Sequence, residues 1–460
     1  MSAAATPLPF ELRTRDLRRG VLSAAREVET ELFALVVPAA QRPAEFLLEL
    51  GLATPTCYFA TPAGSELVGL GAARILTAAG PERFRSVREQ ARALFAEVEP
   101  SSGLRLFGGF AFQPGRAGSD TWRHFGEARF VLPRVSYERH AEGASLRLVI
   151  AREELEDDRL DQAIELASRT LDALERRPAG DRSALTQGFR PGQGTLREGT
   201  PEAWRAQVEA IARAIDGGDL EKVVLARRVD VDLGQALSAA IVLERLRSLA
   251  PECARFSFST ADQAFLGATP ERLVSKRGAA FETEAVAGTV ELGAEPPSRL
   301  LESSKDLEEQ AIVVRGLLRA LEPIAESIEH RSTPEVHVLR HVAHLRTPVR
   351  GTLNSRRHVL ELVERLHPTP AVAGTPTERA LAWIAQNERD ERGWYAGPVG
   401  WFDGNGDGEF VVALRSGVLD GRHLALYAGA GIVRGSKADE ELAETRWKLA
   451  SLLGALGISA

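Results

Sequence analysis

Residues 219–233, DLEKVVLARRVDVDL, set a lysine where an apolar side chain is expected. The segment alternates as a half-buried strand does: Leu220, Lys222, Val224 and Ala226 share one face, and Val223 and Leu225 the other. Burying an unpaired ammonium is costly. Either Lys222 lies near a strand end and snorkels its charge into water, or it reaches into a pocket, gives up its proton readily and acts as a base.

Several acids and cations pose the same choice. In SSKDLEEQAIVVRGLLRAL, Leu307, Ala311, Val314, Leu318 and Leu321 form an apolar stripe at helical spacing, while Glu309 falls on another side beside Ile312, Val313 and Gly316. A carboxylate so flanked needs a cation; the plain alternative is a solvated face with Lys305 as partner. Gly316, inside a helix, suggests close approach by another backbone. In the last helical run, KADEELAETRWKLASLLGAL, Leu442, Leu449, Leu453 and Leu456 form the core stripe. Glu441, Glu444 and Lys448 share a different face, at spacings that also suit an ordinary surface pair. Two carboxylate-bearing helices can supply a magnesium site, because magnesium takes one or two protein carboxylates and completes its shell with water and substrate oxygens. Glu271 follows GATP at a strand junction, as an acid or as a partner for Arg272 or Lys276. FVVALRSG places Arg415 on a strand face with Val411 and Ala413, suited to gripping a carboxylate or to pairing with a surface acid. Gly429, Ala430 and Gly431, and likewise Gly288 with the Thr289 hydroxyl, leave the main chain open to an anion, or mark a bulge or turn. Together these describe a pocket for a small, multiply anionic substrate.

The elements that must position these groups are legible in outline. Thr200 and Pro201 begin a helix that stops at Gly217–Gly218, just before the Lys222 strand. Helices are expected over about 304–321, with Pro323 as a stop, and over 438–456. GEFVVALRSGVLD, residues 408–420, reads as one strand, and DGNGDGEF as a hairpin turn that lacks the closing Glu of a calcium loop. Residues 176–200, rich in Gly, Pro, Ser and charge, read as a surface loop or linker. Strands in hairpin-like groups interrupted by helices favour a mostly antiparallel system with helices outside. No phosphate-binding G-x-x-x-x-G-K-[ST] loop occurs, and GAGIVRG lacks dinucleotide-fingerprint spacing.

The bulk numbers set limits. At 460 residues and 44% hydrophobic content the chain has room for a large core. A net charge of −7 argues against a general nucleic-acid or membrane-surface binder. Only Cys57 and Cys253 are present, with neither metal-ligand nor disulfide spacing, so a cytoplasmic location is expected. No apolar run is long enough to predict a membrane helix, and the first twenty residues lack a signal-like apolar core.

The motifs EKVVLARR, FLGATPERLV, VAGTV, KDLEEQAIVV, HLRTPVRGTL, LHPTPAVAGTP, YAGPVGWFDGNGDGEFVVALRS and YAGAGIVRGSKADEELAETRWKL resemble, in order, those of the chorismate-utilising enzymes. FGGFAF and FVLPR are similar to the longer members of the isochorismate synthase branch. The resemblance implies a large single α/β (α+β) unit with two facing, mostly antiparallel sheets. Residues 200–460 would be the chorismate-binding catalytic region, and 1–190 an N-terminal elaboration adding strands to the same fold. It implies that Lys222 activates water for attack at C2 of chorismate and that Glu271 protonates the departing C4 hydroxyl. Glu309 and Glu444 match the Mg2+ ligands. Gly288, Thr289, Ala371, Arg415, Gly429 and Lys448 match substrate-contacting positions, and His344 a pocket histidine. Lys222 sets the chain apart from the anthranilate and aminodeoxychorismate members, so no glutamine amidotransferase partner is expected, and a monomer is. Salicylate-forming members keep that lysine; Ala371 after HPTP favours isochorismate synthases, since pyruvate-eliminating members tend to carry threonine there. Gln310 departs from the histidine that follows the metal glutamate in many members. The implied activity is Mg2+-dependent conversion of chorismate to isochorismate, with menaquinone rather than siderophore biosynthesis expected from the long N-terminal part. A salicylate synthase is the alternative.

Overall fold

Alternating apolar positions assemble two large antiparallel sheets, in a computed structural model that describes residues 10–99, 102–177, 190–192, 194–260, 262–293, 296–340 and 342–458. The first sheet runs from Leu32–Pro38 through Ala144–Ala151, Val135–Arg139, Glu66–Leu70 and Thr56–Ala60. It continues through Ala254–Ser259, Gln263–Thr269, Ser416–Asp420 and His423–Val433 to Lys222–Leu233 and Gly374–Thr375. The second runs from Ala325–His330 through Val342–Leu353, Ala280–Glu291, Arg272–Arg277, Gly408–Val412 and Pro398–Asp403 to Arg105–Phe110, Ala128–Leu132 and Arg74–Ala78. One apolar core joins them, with Phe256 and Phe265 from the first sheet and Phe107, Phe130 and Phe410 from the second. Trp394 lies edge-on to both Phe258 and Phe265. The expected α+β architecture is the one observed.

Early strands are woven into both sheets. Thr56–Ala60 pairs with Ala254–Ser259, and Arg105–Phe110 with Pro398–Asp403. Helix Ser304–Leu321, capped by the Ser303 hydroxyl accepting from the Asp306 amide, packs on strands Ala280–Glu291 and Val342–Leu353 of the second sheet. Helix Ala438–Leu456, ended by left-handed Gly457, packs on His423–Val433 of the first. The two carboxylate-bearing helices therefore belong to opposite sheets. The helix begun by Thr200 runs Pro201–Asp216 as its cap and proline require, and Asp403–Asp407 forms the expected tight turn, its Asp403 carboxylate accepting from the amides of Asn405 and Asp407.

Two expectations need correction. Within the expected linker, Gly194–Glu198 is a strand paired with Val229–Leu233; polar turn residues hid an edge strand that contributes few buried side chains. Residues 178–189 and 193 of that stretch lie outside the described residues. The single strand expected over 408–420 is two strands, Gly408–Val412 in the second sheet and Ser416–Asp420 in the first. Between them Arg415 takes φ +47°, a conformation few side-chain-bearing residues adopt. A second crossing lies between Gln263–Thr269 and Arg272–Arg277 and contains Glu271. The crossings are tied together: the Val412 amide donates to the Glu271 carbonyl at 3.1 Å, and the Ala268 amide to the Arg415 carbonyl at 3.2 Å.

Candidate active site

A cavity opens beside these crossings. Lys222 and Gly429 reach it from the first sheet, and Gly288, Thr289 and His344 from the second. Glu309, Glu444 and Lys448 enter from the two helices, Glu271 and Arg415 from the crossings, and Ala371 from the loop after helix Val359–Leu366. All the residues singled out above for catalysis, substrate and metal thus line one space.

Lys222 opens its strand yet is only 1% exposed, so it does not snorkel. Its Nζ donates to Glu309 Oε1 at 2.8 Å. Burial alone would raise the Glu309 carboxyl; Lys222, then Lys448 and Lys305, outweigh this and hold it below the usual range. The expected plain partner, Lys305, reaches Glu441 instead, at 3.2 Å across the two helices. Lys448 lies 2.6 Å from Glu444, the i,i+4 pair its spacing allows, and its Nζ also donates to the Gly429 carbonyl at 2.9 Å. Of the two readings of 429–431, the bulge or turn is not what forms. Gly429 and Gly431 sit in the ladder opposite Ala226 and Val224. A Cβ on Gly431 would lie 2.8 Å from Glu309 Oε1 and 2.9 Å from Lys222 Cε, so its bareness makes room for the buried pair.

Glu271 faces the cavity with no ion pair among the described residues; Arg272 and Lys276 turn instead to Glu282 and Asp407. Burial, assisted by the charge of Glu284, raises its carboxyl to about 8 against the pull of Lys222 and Lys448. It is a neutral acid at pH 7, on the same cavity as Lys222. His344 is the opposite case. Burial, then Arg415 and Lys448, hold its imidazole well below its ordinary value, so it is neutral. Arg415 donates to its Nε2 at 3.0 Å, which leaves the proton on Nδ1, within 3.0 Å of the Gly288 carbonyl and 3.1 Å of the Thr289 hydroxyl. Gly288, at φ +70°, forms a bulge that turns that carbonyl toward the histidine. Arg415 is therefore no surface partner, nor does it share a regular strand face with Val411 and Ala413, because the strand ends at Val412. Gly316 does mark a close approach: a Cβ there would lie 2.7 Å from the ring of Pro370, the neighbour of Ala371.

Among the described residues no three His, Cys, Asp or Glu side chains converge as a ready metal cage. Glu309 and Glu444 nonetheless fit a hard dication that draws most of its shell from water and substrate. The negative charge around them is crowded: burial and then Glu444 raise the Glu441 carboxyl, and burial, with smaller contributions from Glu309 and Glu444, raises Asp306. A bound cation would relieve that repulsion.

Sequence reasoning passed over three groups. Tyr395 lines the cavity, stacked on Tyr427 with ring centroids 5.3 Å apart; the run YAGPVGWFD offered it only as a strand residue. Arg392 bonds to Glu388 and to the Val372 and Val224 carbonyls, tying the Ala371 loop to the lysine strand. Glu284 sits behind Glu271 and was invisible without the crossing. Gln310 points away from the cavity, donating to the Ala285 carbonyl and the Thr347 hydroxyl.

The family model described as chorismate binding enzyme matches residues 20–457. The chain is 36% identical over 415 residues to the salicylate biosynthesis isochorismate synthase of Pseudomonas aeruginosa, covering 88% of this chain and 85% of that one. It is 31% identical over 424 residues to isochorismate synthase MenF of Bacillus subtilis, covering 87% and 88%. Among solved structures, the menaquinone-specific isochorismate synthase MenF from Escherichia coli superposes with a TM-score of 0.78 at 28% identity, over 97% of this chain and all of that one.

Proposed function

The chain belongs to the chorismate binding enzyme family, and from that premise we propose that it is an isochorismate synthase. The observation that carries this reading is a buried lysine and a neutral buried glutamic acid on one cavity, with two further carboxylates from opposing helices. The reaction adds water at C2 of chorismate while the C4 hydroxyl leaves as water and the ring double bonds shift. One water enters, one leaves, and the product is an isomer. Lys222 acts as the neutral amine: it first releases to solvent the proton by which it holds Glu309, and then takes one from the attacking water. Glu271, still protonated at neutral pH, gives its proton to the departing oxygen. Arg415, held by neutral His344, grips a substrate carboxylate, and Lys448 with the Gly288–Thr289 bulge supports the anionic groups. Glu309 and Glu444 would hold Mg2+, whose chemistry when bound is to neutralise a substrate carboxylate.

Menaquinone biosynthesis is the pathway we assign, supported by the two MenF relatives. A route toward salicylate is the second reading, favoured by the relative from Pseudomonas aeruginosa. Ala371 on the cavity wall supports a product released as isochorismate in either route. Lys222→Ala is expected to abolish turnover while calorimetry still detects chorismate binding; retained turnover would remove Lys222 as the base. Glu309→Ala is expected to flatten the magnesium response, and an unchanged response would refute the metal assignment.

A further inference from the structure

Strand Ala280–Glu291 passes beneath the 270–272 crossing. Its alternation puts Glu282, Glu284 and Val286 on one face. Val286 lines the active cavity, whereas Glu282 and Glu284 line a separate, larger cleft between the sheets, and Pro270 borders both spaces. Glu284 is thus on the far side of the wall that carries Glu271. Its side chain is 13% exposed. One carboxylate oxygen accepts from the backbone amide of Arg272, the residue after the acid, at 2.9 Å. The other lies 3.7 Å from Arg346, which is itself paired with Glu335 at 2.6 Å.

We propose that Glu284 is a positioning residue for the acid: it anchors the backbone carrying Glu271 and places a second carboxylate behind it, from the cleft side of the crossing. This rests on the reading of Glu271 as the proton donor. The charged and titratable groups around Glu271 are Lys222 on its strand, Lys448 on the last helix, Tyr395 and Glu284. The two lysines favour the carboxylate, and Glu284 is the charged group that opposes them. Burial is the larger influence, but it acts equally on a Glu284 variant. Burial raises the Glu284 carboxyl, and the Arg272 amide and Arg346 oppose that rise. Glu284 touches neither the cavity nor the reacting atoms, so its effect runs through Glu271.

The test is an infrared pH titration of the ligand-free protein, following the protonated-carboxyl band that Glu271→Gln removes. In parallel, the pH dependence of kcat/KM is recorded. Glu284→Gln keeps an oxygen for the Arg272 amide but no charge. Both the band and the upper limb of the profile are expected to move to lower pH by about half a unit to one unit, with the fold retained. Arg346→Gln, which removes the counter-charge beside Glu284 but leaves its carboxylate, is expected to move both the opposite way, to higher pH, and by less. It serves as the second variant if Glu284→Gln does not fold. Glu284→Ala, lacking the anchor too, is expected to lose kcat with little change in KM. A band and limb that stay in place in the variants would overturn the inference. If Glu271→Gln itself retains turnover, it is the proton-donor reading that fails instead.

Discussion

Glu271 is the residue whose chemistry depends most on where the chain puts it. Its carboxyl titrates at about 8 rather than 4.5, so kcat/KM is expected to fall on the alkaline side with an apparent pKa near 8. Glu271→Gln is expected to lose about 10²-fold or more. Stability moves with the same group. Because the folded value is raised, the contribution of Glu271 is fully present below about 4.5 and is lost as pH rises through about 8. Relative to the parent, Glu271→Gln should therefore gain in melting temperature between those values and hold the gain above them; calorimetry from about pH 5 to about pH 9 reads this. A constant difference across that range would contradict the buried neutral acid. The sequence placed Glu271 at a strand junction but could not supply its burial or Glu284, since both arise from a crossing between sheets. Lys222 was legible because a cation in an apolar alternation is anomalous by itself. Its partner was not, because Lys305 stood at ideal helical spacing from Glu309 and the winning contact comes from 87 residues away.

At the scale of elements, glycines decide what fits. Gly431→Ala would push its Cβ against the ends of Lys222 and Glu309, both flexible, so the fold should survive while the pair is displaced. The expected result is a melting point near that of the parent with a large loss of kcat; full activity would show that the pair's geometry is not needed. Helix limits were read well from Thr200, Pro323 and the apolar stripes; Ser303 and Gly457, which cap the two carboxylate-bearing helices, were not singled out. The break at 413–415 was not readable. ALR has neither Gly nor Pro, and the left-handed turn at Arg415 is held by contacts with the other crossing and with His344, none of them local.

Over the whole molecule, each sheet contributes one carboxylate-bearing helix and one edge of the cavity, so the site is complete only when the sheets face each other across their common core. Residues before 190 supply strands to both sheets, and cutting them away should expose the core residues they cover, such as Phe402 and Phe410, and abolish soluble expression of 200–460. A folded, active 200–460 fragment, assayed by circular dichroism and turnover, would contradict this. None of the helices in the described residues is long and apolar enough to cross a membrane. The antiparallel class was legible from hairpin-like spacing, but strand order was not, because partners such as Thr56–Ala60 and Ala254–Ser259 stand about two hundred residues apart.

The most direct measurement is a product assay. Purified protein is incubated with chorismate, with Mg2+ in one sample and a chelator in the other, and the products are separated by chromatography. Isochorismate as the sole product, lost with the chelator, is the predicted result. Salicylate with pyruvate, or no consumption of chorismate in the presence of Mg2+, would contradict it.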